Sequence, residues 1–106
     1  MTLSADDWTQ RIKLLRLMSV EMLELAEAGG WDEVTEWEAN RRTLLEELFQ
    51  QAPPADLTPA LEEAARAALS CDARLLELAC EERDRLGDYL KSFGQGRRVR
   101  HAYQTF

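Results

Sequence analysis

The chain is predicted to be all-α: an antiparallel three-helix bundle with a long third helix and a short C-terminal helical or flexible tail. Three observations predict this. Ala, Leu, Glu and Arg dominate the composition and favour helix, while β-branched residues are limited to Ile12, Val20, Val34, Val99 and scattered threonines. Apolar residues recur in steps of three, four or seven, as on one face of an α-helix. Glycine and proline cluster at two breaks, Gly29-Gly30 and Pro53-Pro54. A chain of 106 residues, 45% of them apolar, suggests one domain (1–106) with a modest core.

Helix one is expected over about residues 4–28. Ser4 is an N-cap with Asp7 three residues on, a form of the capping box. Trp8, Ile12, Leu15, Met18 or Ser19, Met22 and Leu25 follow at helical spacing. Gly29 and Gly30 end the helix, since glycine tolerates the left-handed C′ conformation. The turn is tight, so helix two (about 31–51) folds back beside helix one. Asp32 and Glu33 in its first turn suit the positive end of the helix dipole. Its stripe is Trp31, Val34, Trp37 or Glu38, Arg41, Leu44 or Leu45, and Leu48. Arg41 on that stripe reads as an arginine whose stem packs and whose guanidinium meets a nearby acid.

Gln50 to Asp56 is a linker. Thr58 caps helix three (about 58–93) with Pro59 at the first helical position, and Glu62 and Glu63 reinforce its start. Its stripe is Leu57, Leu61, Ala65, Ala68, Leu75, Ala79, Leu86, Leu90 and Phe93. Gly87 lies inside it, at a cost of about 1 kcal/mol relative to alanine, for close helix approach or a bend. Gly94 and Gly96 end it, leaving a tail (94–106). At 1.5 Å per residue the three helices are about 36, 30 and 54 Å long, so roughly 15 to 20 Å of apolar helix three lacks an intrachain partner. Such a patch marks a protein interface. Leu69, Leu76, Leu86, Tyr89, Leu90 and Phe93 are the candidate partner-binding residues, and the competing reading of each is ordinary bundle core.

The net charge of −7 argues against coating nucleic acid. The tail alone is basic: Arg97, Arg98 and Arg100 with no acid, so the preceding 93 residues carry −10. Val99, Tyr103 and Phe106, four and three residues apart, form an apolar face if the tail is helical. That face could lie on the uncovered part of helix three, with Tyr103 as gate or contact. Cys71 and Cys80 would lie about 13 Å apart on one helix, too far for a disulfide, and read as small half-buried residues. No apolar run reaches the ~18 residues of a membrane span. Glu21 interrupts the first apolar stretch, so no signal peptide is expected and the chain should stay in the cytoplasm. There is no P-loop, GxGxxG or HExxH, and the one histidine, His101, lies in the tail. No catalytic, cofactor-binding or metal-binding residue is assigned, and an enzyme is not expected.

The segment from Gly30-Trp31-Asp32-Glu33 through Arg41-Arg42 to Leu44-Leu45 resembles the second helix of FliT-type flagellar export chaperones, with their Trp-Asp-Glu opening, acidic run and arginines before an apolar stretch. Leu75-Leu76 to Arg83-Asp84, Leu90 to Phe93, a glycine, basic residues and Ala102-Tyr103 recur in that family in the same order. The resemblance covers nearly the whole chain. It implies an all-helical antiparallel bundle and a cytoplasmic chaperone that holds the filament-cap protein (FliD) and delivers it to the flagellar type III export apparatus. In some members it implies repression of flagellar genes through the master activator. It places client binding on the third helix, self-association in the first half, and partner contacts at the tyrosine matching Tyr103. Three residues follow Tyr103 here, where better-known members carry a longer tail, so a full masking fourth helix is not expected. Two readings compete with the chaperone: a regulator that sequesters a transcription activator, and a self-associating bundle whose apolar face is closed by a second copy.

Overall fold

The cap that starts α1 (Ala5–Glu27) is complete in the computed structural model, which describes the backbone of residues 2–105 and the side chains of residues 2–94. Ser4 Oγ accepts from the Asp7 N–H at 3.1 Å, and an Asp7 carboxylate oxygen accepts from the Ser4 N–H at 3.1 Å. Two otherwise orphaned donors are thereby satisfied. At the other end the Gly29 N–H reaches the Ala26 carbonyl (3.1 Å) and the Gly30 N–H the Leu25 carbonyl (2.8 Å). These are the paired bonds of a Schellman motif, with Gly29 at φ +83°. Gly30 then serves as N-cap of α2 (Trp31–Phe49), its carbonyl accepting from Val34 at 3.0 Å. With only Ala28 to Gly30 between them, the two helices run antiparallel.

α2 ends at Phe49, two residues before the expected Gln51. Gln51 Oε1 instead accepts from the Leu3 N–H at 2.9 Å, fastening the start of the chain to the end of α2. After Pro53 the chain winds through a 3₁₀ turn (Ala55–Leu57) straight into α3 (Thr58–Thr105). Thr58 is therefore not the expected N-cap. It has helical angles (φ −55°, ψ −46°), and its hydroxyl donates back to the Pro54 carbonyl at 3.4 Å. Winding the turn from Pro54 also puts Glu62 and Glu63 beyond the first turn, where the dipole field is weak.

The chain divides into two compact units, Met1–Leu76 and Glu77–Phe106. In the first, Trp8, Ile12, Leu15 and Met18 of α1 pack with Leu44 and Leu48 of α2 and Ala64 of α3, flanked by Leu3, Trp37, Leu45, Leu57 and Leu61. Toward the α1–α2 turn, Met22, Ala26, Val34 and Leu75 are also buried. Ala64, fully buried, takes the place expected of Ala65, which is exposed. Steps of three and four fit either alanine after Leu61, and only the packed helices choose.

One polar bridge crosses this core. Arg41, 7% exposed, donates through Nη1 to Ser19 Oγ (3.2 Å) and through Nη2 to Asp72 Oδ1 (2.7 Å). Ser19 Oγ in turn donates to the Leu15 carbonyl at 3.1 Å. One guanidinium thus links all three helices, and no buried side-chain polar atom among the described residues is left without a partner. The expected acid partner of Arg41 is Asp72. Arg11–Glu47 (2.8 Å), half-buried, and Arg16–Glu63 (3.5 Å), exposed, add cross-helix pairs, and the exposed one contributes little.

The second unit consists of the continuation of α3. Gly94 and Gly96 do not end the helix, which runs to Thr105. A glycine costs about 1 kcal/mol relative to alanine in a helix but does not forbid it. Gln95, Arg97, Arg98, Arg100 and Ala102 favour helix, and no proline follows. A Cβ at Gly87 would meet nothing within 4 Å, so close packing within the chain is not the reason for that glycine.

Candidate partner-binding face

The helical period decides what α3 exposes. From Leu57 to the end of the first unit the buried or half-buried positions are Leu57, Thr58, Leu61, Ala64, Ala67, Ala68, Cys71, Asp72 and Leu75, in steps of one or three. Leu69 and Leu76, one heptad apart, fall outside that set and face solvent. In the second unit Leu86, Tyr89, Leu90 and Phe93 are spaced by three, one and three residues, so all four share one stripe spanning two turns. None of the described side chains of the second unit is buried.

All six predicted residues that carry described side chains are open to solvent in the single chain, from 54% for Leu86 to 69% for Leu69. They fall into two groups, Leu69 and Leu76 in the first unit and Leu86, Tyr89, Leu90 and Phe93 in the second. Tyr103, with the tail face of Val99 and Phe106, the tail arginines and His101, lies outside the described side chains. An isolated leucine at a surface needs no explanation, but four large apolar side chains in two turns of helix do.

Charges flank the second group. Arg83 pairs with Asp84 at 3.7 Å, and Arg85 donates to Glu82, which holds the Arg85 guanidinium pKa above its usual value. Asp88 and Lys91 interleave with the apolar positions. The stripe is thus apolar along its centre and mixed in sign at its edges, a pattern complementary to an amphipathic helix. Among the described residues no group of three His, Cys, Asp or Glu converges as for a metal ion. No described helix is long and apolar enough to cross a membrane.

Other exposed apolar residues lie outside the predicted set. Leu14, Leu17 and Val20 lie on α1 opposite its core stripe, and Phe49 ends α2 at 79% exposure. Their spacing carries the signal: each is large, apolar and off the buried set of its own helix.

The family model described as flagellar protein FliT matches residues 9–105. No curated protein and no solved structure matches the chain.

Proposed function

The chain belongs to the FliT family of flagellar proteins, and from that premise we propose that it is a cytoplasmic export chaperone for the filament-cap protein (FliD). In this reading the 106 residues act as one chaperone domain. It binds the cap protein through the exposed apolar face of α3, prevents premature assembly and delivers the client to the flagellar type III export apparatus. The observation that carries the reading is the stripe Leu86, Tyr89, Leu90 and Phe93, exposed in the single chain. Leu69, Leu76 and Tyr103 are proposed as further contacts.

The mechanism is helix addition. A client segment that is unpaired before filament assembly presents an amphipathic helix, which lays its apolar side on α3. Burying roughly 400 Å² of apolar surface on each partner, at about 25 cal/mol/Å², contributes on the order of 20 kcal/mol gross. Ordering the client and losing its free motion remove most of this, which leaves micromolar to nanomolar affinity. The chaperone thereby covers the surface through which the client would otherwise self-assemble, and the low net gain permits release.

The test is capture of the cap protein, intact and with its C-terminal segment removed, by the wild-type chain and by Leu86→Ala/Leu90→Ala. The expected result is capture of the intact client only, lost in the double variant, with the first unit's unfolding transition unchanged. Capture of neither client form refutes the chaperone reading. Retention of a flagellar activator complex instead would identify a regulator, and a mass that doubles with concentration, with no client bound, a self-associating bundle.

A further inference from the structure

A second apolar feature lies wholly within the first unit and shares no residue with the six exposed α3 positions Leu69, Leu76, Leu86, Tyr89, Leu90 and Phe93. A cleft of about 190 Å³ opens between the foot of α1, the end of α2 and the start of α3. Trp8, Leu15 and Leu48 line it while themselves almost inaccessible, each at most 2% exposed. Leu61 and Ala65 line it from α3, and Phe49, the most exposed large apolar residue described, lines it from α2.

We propose that this cleft receives a single aromatic side chain carried on a basic segment of a partner protein. Size selects the anchor. Cofactor and drug-sized sites occupy about 300–1,000 Å³, whereas a dry apolar cavity of about 150 Å³ accommodates one benzene ring. The lining selects against a polar group, since Gln51 is its one polar side chain and its Oε1 already accepts from the Leu3 N–H. The exposed Phe49 ring supplies an edge or face for an incoming aromatic.

Charge selects the segment that carries the anchor. Residues 1–76 hold fifteen acids against seven bases, a net −8, while residues 77–106 carry +1. The unit that bears the cleft therefore attracts cationic segments. This site is independent of the α3 face, so the chain could hold one partner there and another at its foot.

The experiment uses the full chain, ¹⁵N-labelled, titrated with three capped pentapeptides: Lys-Lys-Phe-Lys-Lys, the same with Ala for Phe, and Glu-Glu-Phe-Glu-Glu. The expected result is shifts confined to cleft residues, with the Phe peptide about tenfold or more tighter than its Ala counterpart. The lysine peptide should bind severalfold tighter than the glutamate one, a preference that shrinks at high salt. Ala65→Phe fills the cleft from an exposed position and should abolish these shifts while the Trp-monitored melting curve stays in place. Equal binding of the Phe and Ala peptides overturns the proposal, as does binding that survives Ala65→Phe or prefers the glutamate peptide. Self-association that Phe49→Ala abolishes, with no peptide bound, overturns it in favour of a second copy as occupant.

Discussion

Removing Asp72 should cost far more than removing the arginine it faces. Arg41 is 7% exposed, and its guanidinium is held by Asp72 at 2.7 Å and Ser19 at 3.2 Å. Asp72→Ala leaves a buried charge with one neutral acceptor. Stripping a partner from a fully buried pair costs about 3–5 kcal/mol. The Asp72 side chain is 45% exposed, so water replaces part of what is lost, and about 2 kcal/mol is the expected destabilisation. Arg41→Met has the opposite character. It keeps the packed stem, removes the charge, leaves Ser19 bonded to the Leu15 carbonyl, and lets water hydrate the half-open carboxylate. Its cost should be within about 1 kcal/mol of zero. Urea unfolding followed by tryptophan fluorescence reads both, because Trp8, Trp31 and Trp37 all lie in the first unit. Asp72→Ala should lower the midpoint at unchanged slope, equivalent to a Tm drop of about 8–16 °C. Equal destabilisation by the two substitutions would refute the reasoning, since it would mean the pair stabilises by attraction rather than by compensating a buried charge.

Two further predictions follow from local structure. Gly87→Ala meets no neighbour in the chain and should raise helix stability by about 1 kcal/mol; unchanged or lower stability by hydrogen exchange at 80–94 would show that the backbone there is not ordinary helix. The Asp7 carboxyl is held below its ordinary pKa of 3.8, first by the Ser4 N–H, then by the Ser4 hydroxyl and, more weakly, by Arg11. Because the folded value is the lower one, its contribution is present above about pH 4 and is lost as pH falls through the folded pKa. Asp7→Asn should therefore flatten that part of the acid stability profile, and an unchanged profile below pH 4 would remove Asp7 from the cap's energetics.

Local periodicity and turn chemistry account for much of this protein. The Ser4–Asp7 cap, the Gly29 turn, the core stripe of α1 and the exposed stripe Leu86–Phe93 each depend on residues within a turn or two of one another, so they are legible in order along the chain. That the chain is helical, has two tight breaks, and carries more apolar helix than three packed elements bury all follow from the same local rules, and the FliT resemblance rests on them. Other features depend on which neighbour arrives. Ala64 and Ala65 are equivalent until α1 and α2 present a surface, and only packing buries one and exposes the other. Arg41 is an anomaly in an apolar stripe until Ser19 and Asp72, 22 residues before it and 31 after it, close on its guanidinium. Gly94 and Gly96 look like a helix end because glycine weakens helix, yet about 1 kcal/mol each is too little to stop one whose neighbours favour it. The cleft at the foot of the first unit has no local signature, because its walls come from all three helices and the linker. Local interactions decided the elements and their faces; contacts between residues distant in sequence decided which faces were buried and which were left open.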